Sequence, residues 1–295
     1  MKNKKIVSMA ALIAASLSAA QAQTIAGWNF ENLPILAPTF NPAPSTDNSA
    51  GVVSAASIGM NIYATPNVGV NDPDVLLGVS SDTGANGVAN LTQTWRIRGQ
   101  AGSSGAANGW SSAAPIGTQG AQFYADTTGF NGIQVSFDWY ATTQGEANMQ
   151  FLYTVNGGTI WQNLALTLGG SDTGLQVLSN SGSDVNTVTG SYVSDNVLTG
   201  GSKAGQDWFT GLTASITDPN AANDPGFGIE MVNASTGTDD VSTKGTALNN
   251  SSGNWRFDNV VISGTAVPEP STLALGSFMG LTALVGLRRL KNRQS

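Results

Sequence analysis

Between residues 23 and 266, apolar side chains recur at every second position in short runs, and no stretch sustains the 3.6-residue period of an amphipathic helix. A run of that kind buries one face of a strand. Many of them separated by Gly, Asn and Asp give an all-β chain rather than a mixed one. The clearest example sets Val135, Phe137 and Trp139 against Ser136, Asp138 and Tyr140, and after a connection containing Gly145 it is followed by Met149, Phe151, Tyr153 and Val155. These two runs are expected to pair as a hairpin. The second stops at Asn156-Gly157-Gly158, residues that accept the positive φ of a tight turn, and a third strand is expected over 160–168. Further strands are expected over 25–31, 93–98, 120–124, 207–216, 227–232 and 255–263, with residues 32–60, which hold four prolines, as a loop. In the last strand Trp255 and Phe257 share one parity and Val260 and Ile262 the other, so a bulge is expected near Asp258-Asn259. About nine short strands of this kind predict a two-layer β-sandwich, with Trp139 and Trp255 in its core.

The two ends follow a different rule. Lys2, Lys4 and Lys5 precede an apolar run that closes on Ala20-Gln21-Ala22, the pattern of a secretory signal peptide over 1–22. Residues 267–295 form a second address: Pro268-Glu269-Pro270, then an apolar stretch over 271–287, then Arg288, Arg289, Lys291 and Arg293. The apolar stretch reads as one transmembrane helix, and the basic cluster should hold the C-terminus on the cytoplasmic side. The paired prolines keep the helix from running upstream and leave an extended segment outside the bilayer.

The segment between these ends, 23–266, carries five basic residues (Arg96, Arg98, Lys203, Lys244, Arg256) against eighteen acids, a net charge of −13 where the whole chain has −7. Such a field repels nucleic acid and attracts divalent cations. The chain has neither His nor Cys. Triads built on imidazole or thiol, and zinc or haem held by those groups, are therefore excluded. An exported domain without disulfides rests on its core alone, helped by any ion it binds.

The order Pro-Glu-Pro, apolar helix, basic cluster resembles the PEP-CTERM sorting signal of Gram-negative, exopolysaccharide-producing bacteria, with Pro268, Glu269 and Pro270 matching the motif and Arg288 and Arg289 opening the basic tail. The resemblance implies signal peptidase and a membrane-embedded exosortase as processing partners. It also implies a destination at the cell surface or in the extracellular matrix. Trp28-Asn29-Phe30-Glu31, the run from Val135 to Tyr140, and the run from Trp255 to Gly264 are similar to the jelly-roll domains that such proteins often carry. That similarity implies a lectin-like or carbohydrate-binding-module-like sandwich whose first and last strands lie side by side. It further implies structural Ca²⁺, with Glu31 and Asp258 as oxygen ligands.

For glycan binding the candidates are Trp110 with Asn108, in the polar, Gly-flanked sequence Asn108-Gly109-Trp110-Ser111, and the outward-facing Asp138 and Tyr140. Acids in Asp218-Pro219-Asn220 and Asn223-Asp224-Pro225 read as turn residues. No Glu-x-Asp-x-Glu spacing is present, and Glu31, Glu146 and Glu230 stand apart, so no catalytic carboxylate pair is expected. The sequence thus points to a non-enzymatic, surface-sorted β-sandwich that binds extracellular polysaccharide. The alternatives are a purely structural acidic matrix protein and a carboxylate-dependent polysaccharide hydrolase.

Overall fold

The computed structural model describes residues 21–31, 33, 41–59, 74–77, 93–98, 110–111, 117–141, 145–146, 148–164, 177–178, 191–194, 197–199, 208–234, 249–250 and 254–267. Residues 1–20 of the expected signal peptide (1–22), the expected sorting residues Pro268, Glu269, Pro270, Arg288 and Arg289, and the apolar stretch over 271–287 lie outside them; Ala22 opens the first strand. Among the described residues no helix is long and apolar enough to cross a membrane.

The strands, in chain order, are β1 Ala22–Trp28, β2 Thr46–Asp47, β3 Val53–Ile58, β4 Asp74–Leu77, β5 Gln93–Arg98, β6 Trp110–Ser111, β7 Gly120–Ala125, β8 Phe130–Ala141, β9 Asn148–Thr154, β10 Gln162–Asn163, β11 Val177–Leu178, β12 Ser191–Ser194, β13 Val197–Thr199, β14 Trp208–Ser215, β15 Gly228–Asn233, β16 Asn249–Asn250 and β17 Asn254–Ala266. One sheet has the order β11-β14-β8-β17-β1-β2, with β5 also on β17 and β4 on β5. The other has the order β12-β13-β9-β15-β7-β3, with β10 on β9, while β6 and β16 form a separate ladder. Every pairing is antiparallel. The two inner faces meet in one core, which is the arrangement of a β-sandwich.

That core is aromatic and lopsided. Trp28, Trp95, Trp139 and Trp255 all come from the first sheet and are at most 1% exposed, while the second sheet answers with Phe123, Phe151, Ile229 and Met231. Trp28 meets Phe123 edge-on at 4.9 Å, Phe137 meets Phe151 at 5.0 Å, and Trp139 and Trp255 cross at 87° and 5.5 Å. Two indole N–H groups donate to backbone carbonyls, Trp28 to Pro42 at 3.2 Å and Trp255 to Glu146 at 2.7 Å, so those rings are buried with their polar edges satisfied.

The structure revises three sequence expectations about the strands. The runs beginning at Val135 and Met149 do not form a hairpin: β8 lies between β14 and β17 in one sheet, and β9 lies between β13 and β15 in the other. Phe137 and Phe151 therefore face each other across the core instead of along a ladder. The 32–60 region holds β3, which pairs over six residues with β7. Its sequence, Val-Ser-Ala-Ala-Ser-Ile, fills the core with Ala55 rather than a large residue, so the alternation is faint. Of the third strand expected over 160–168, residues 160–164 are described; within these, Gln162–Asn163 pair with β9, extended by one bond from the Leu164 N–H to the Phe151 carbonyl.

The bulge expected at Asp258-Asn259 is present. The register of β17 shifts between Asp258 and Val261, Asn259 takes φ +49°, and Trp255, Phe257, Val260 and Ile262 all reach the core with 0% exposure. At this point β17 also changes neighbour, from β5 over Asn254 to Phe257 to β1 over Val260 to Thr265. Across β8, strand β14 has its own irregularity between Phe209 and Leu212, with Gly211 at φ +66°. Asp138 stands between the two. Its Oδ1 accepts the Gly211 N–H at 2.6 Å, and its Oδ2 accepts the Asn259 side-chain amide at 2.8 Å.

Burial pushes the Asp138 carboxyl above the ordinary aspartate value, against the pull of the bonds from Asn259 and Gly211. Burial likewise raises Glu230 and Asp224. A carboxyl whose folded value exceeds its unfolded one contributes stability that is complete below the unfolded value and lost as pH rises through the folded one. The melting temperature is therefore expected to climb as pH is lowered from about 7 toward 5, checked by calorimetry across a pH series. Asp138→Ala strands the Gly211 N–H and should cost about 1–3 kcal/mol in denaturant titrations, with the gap from the parent chain widening toward low pH.

Candidate functional site

The outer face of the second sheet carries a site that the sequence reading did not single out. On β7, Gln122 and Tyr124 alternate with the core residues Ala121, Phe123 and Ala125 and so point away from the interior. Their cross-strand partners on β15 are Glu230 and Gly228. The Gln122 amide donates to Glu230 Oε1 at 2.9 Å. Burial raises the Glu230 carboxyl above its ordinary value, with the Gln122 bond pulling down. Burial, and then the neighbouring Glu230 carboxylate, raise the Tyr124 hydroxyl.

Trp161 completes the face. Its ring centroid lies 6.1 Å from that of Tyr124, tilted by 58°, and both side chains are half-buried. The turn that delivers Trp161 is tightly bonded. Asn156 Oδ1 accepts the Thr154 hydroxyl at 2.8 Å and the Ile160 N–H at 2.9 Å, and Thr154 Oγ1 accepts the Gly158 N–H at 3.1 Å. Gly157 and Gly158 take φ +68° and +84°, as expected for Asn-Gly-Gly. Ile160, next to Trp161 in the chain, is 60% exposed.

Glycine sets where Tyr124 lies. A Cβ on Gly228 would come within 2.6 Å of the Tyr124 ring, and one on Gly158 within 2.5 Å of its hydroxyl. The ring rests against bare backbone on one side and under the turn on the other. The signal for this in the sequence was local and weak: Trp161 three residues beyond the Gly157-Gly158 pair, and Tyr124 on the polar parity of a strand.

The residues that the sequence did propose fall elsewhere. Asp138 and Tyr140 do lie on the side of β8 away from the core, but they are 8% and 2% exposed and so are not an open binding surface. Asp138 is committed to the two bulges, and the Arg256 guanidinium sits 4.9 Å above the Tyr140 ring. Asp258 is the cross-strand partner of Asp138 on the same face, is 2% exposed, and accepts the Asn259 N–H at 2.8 Å. Trp110 belongs to β6, opposite Asn250 of β16; its side chain, like all of Asn108, lies outside the described residues.

Glu31 follows Phe30, whose φ of +56° turns the chain out of β1, and this is why the expected strand ends at Trp28. Its Oε1 accepts the Gln93 N–H at 3.0 Å, and the Gln93 side chain in turn bonds the Leu33 N–H and carbonyl. Glu31 thereby ties the exit of β1 to the start of β5. Glu31 lies three residues beyond the end of β1 and Asp258 lies within β17; β1 and β17 themselves are adjacent and antiparallel, as the jelly-roll resemblance implied of the first and last strands. Among the described residues no group of three or more acids is arranged to hold a metal ion. Asp218 caps the 3₁₀ turn Pro219–Ala221, and Asp224 Oδ1 accepts the Gly226 N–H at 2.8 Å, in keeping with their reading as turn residues.

Gly228→Ala is expected to push Tyr124 off the sheet and alter the near-ultraviolet dichroism of the Tyr124–Trp161 pair while leaving the far-ultraviolet β signal in place. Comparison of the whole chain with known protein families, with curated proteins and with solved structures finds no match.

Proposed function

We propose that this chain is an exported, surface-sorted, non-enzymatic protein of the cell envelope or extracellular polysaccharide matrix, and that its jelly-roll-like sandwich binds glycan on the Tyr124–Trp161 face. The observation that carries the reading is the pair of half-buried aromatic rings beside a bonded amide and carboxylate. Sugars present C–H faces that stack on aromatic rings and hydroxyls that bond side-chain amides; here the rings lie beside the half-buried Gln122, whose amide is oriented by Glu230, itself 4% exposed. Export and sorting rest on the signal peptide and on the Pro268-Glu269-Pro270 tail with its basic end.

The glutamates, which stand apart in the sequence, have separate partners in the fold. Glycoside hydrolysis needs two carboxyl groups across a cleft, about 5–10 Å apart. Among the described residues, Glu230 engages Gln122 and Tyr124, Glu31 serves β5, and Glu146 is fully buried beneath Trp255. Structural Ca²⁺ at Glu31 and Asp258 remains part of the proposal, as an ion that would brace the junction of β1, β5 and β17.

The test is retention of the full chain, purified in a detergent without a sugar headgroup, on the source organism's own extracellular polysaccharide. Saturable binding is expected. Trp161→Ala should weaken it at least tenfold, about 1.4 kcal/mol, with little change in melting temperature. Loss of retention in Trp110→Ala instead would move the site to the β6–β16 ladder, and no retention at all would favour the purely structural acidic role. A melting temperature that falls in chelator and returns with calcium is the expected sign of the ion.

A further inference from the structure

An asparagine followed by glycine is a chemically reactive pair. The glycine nitrogen, with no side chain beside it, is able to approach the side-chain carbonyl carbon of the asparagine. The sequence holds four such pairs, Asn86-Gly87, Asn108-Gly109, Asn131-Gly132 and Asn156-Gly157. The first two lie outside the described residues. The other two form a matched comparison: all four residues are exposed, and both glycines take left-handed φ, +58° at Gly132 and +68° at Gly157. Neither burial nor the glycine conformation separates them.

Hydrogen bonding does. At Asn156 both partners of the reaction are held. Its Oδ1 accepts the Thr154 hydroxyl at 2.8 Å and the Ile160 N–H at 2.9 Å, and the Gly157 N–H donates to the Gly226 carbonyl at 3.0 Å. The Asn156 N–H donates to Thr154 Oγ1 at 3.3 Å, and its carbonyl accepts the Thr159 hydroxyl at 3.0 Å. Thr154 is itself fully buried, which fixes the hydroxyl on which the turn is built. For the Gly157 nitrogen to meet Cγ, the Asn156 side chain has to rotate away from two donors and Gly157 has to release Gly226. The reaction is thereby confined to a locally opened state.

The Asn131 side chain makes no hydrogen bond among the described residues. It stands near the start of β8, opposite Thr265, where the register of β17 shifts between Ser263 and Thr265. The space beside Gly132 is open: a Cβ there would meet nothing closer than Thr265 Oγ1 at 3.9 Å.

We infer that Asn131 is a site of spontaneous deamidation in the folded protein, and that hydrogen bonding protects Asn156. The Gly132 nitrogen bonds to Asn131 Cγ, the bond from Cγ to the side-chain nitrogen breaks, and ammonia leaves with the proton that the Gly132 nitrogen gives up. Water then opens the five-membered imide at one of its two carbonyls. Opening at one gives aspartate; opening at the other gives isoaspartate, in which the backbone runs through the side-chain carbon. Either product adds a carboxylate to a segment whose net charge is already −13. Isoaspartate also lengthens β8 by one backbone atom close to the bond from the Val267 N–H to the Gly129 carbonyl, 2.8 Å long, at the end of β17. The protected turn is the one that delivers Trp161, and the inference holds whatever that ring binds.

The test is incubation of the full chain, in detergent and in water enriched in heavy oxygen, at mildly alkaline pH. Imide opening writes the heavy oxygen into the product, so peptide mass spectrometry locates each conversion and separates it from conversion during digestion. In the folded chain, labelled acid is expected to accumulate at residue 131 roughly tenfold or more faster than at residue 156. In concentrated urea the difference should vanish, because the bonds around Asn156 are gone. Thr154→Val removes the hydroxyl and keeps the shape, and it should raise the rate at Asn156 while leaving that at Asn131 unchanged; Thr154→Ser should restore the protection. Equal rates at the two sites in the folded parent chain overturn the inference, as does an Asn131 that stays intact when folded but converts in urea. Full protection of Asn156 in a folded Thr154→Val chain overturns the role given to its hydrogen bonds. If that variant does not fold, the comparison of folded and urea-treated parent chain decides.

Discussion

Strand β17 can keep one face on the core for thirteen residues only because its parity is reset once. Before the bulge it contributes Trp255 and Phe257, and after it Val260 and Ile262. At the same place it lets go of β5 and takes up β1. A reset of this kind leaves backbone and side-chain donors without their regular ladder partners, and Asp138 takes one from each flanking strand. A buried carboxylate is costly to desolvate, and here charge-assisted bonds on both oxygens offset part of that cost. Its raised pKa is the residue of that balance. Since β8 and β17 are the two longest strands and lie side by side, the alignment of the whole first sheet hangs on this pin.

With neither disulfide nor a metal cluster among the described residues, the sandwich is held by aromatic packing. Trp28 and Trp95 of one sheet meet Phe123 of the other, Phe137 meets Phe151 across the core, and Trp139 and Trp255 pack on each other. The same strands then present two outer faces of unlike chemistry, because the outward parity is free of the core's demands. On the second sheet it holds Tyr124, Gln122 and Glu230, with Trp161 delivered by a rigid turn; on the first it holds short hydroxyl side chains over the middle and a covered polar cluster around Asp138, Tyr140, Arg256 and Asp258. The strongly acidic charge of residues 23–266 repels nucleic acid and anionic lipid.

Period-two alternation, the Asn-Gly-Gly turn and the parity change in the last strand were legible in the sequence because each is a local pattern imposed by burial of one face. They gave an all-β sandwich, the strand β5 to the residue, the bulge at Asp258-Asn259, and the burial of Trp139 and Trp255. The partners of those strands were not legible. Alternation says that a strand has a buried face but not which strand lies beside it, so β8 and β9, neighbours in sequence, ended in different sheets.

The candidate sites divide along the same line. Parity alone placed Asp138 and Tyr140 on the outer side, but only the folded chain covers them, because Arg256 and the two bulges converge there from strands distant in sequence. Tyr124 and Trp161 could not be joined from the sequence, since their meeting requires β7 beside β15 and the turn after β9 folding back over both. What the sequence by itself determined is the class of fold, its charge and the positions that face inward, because these follow from composition and short-range periodicity. The tertiary structure alone decided which outward side chains meet and which are covered, because antiparallel pairing between remote segments sets those distances.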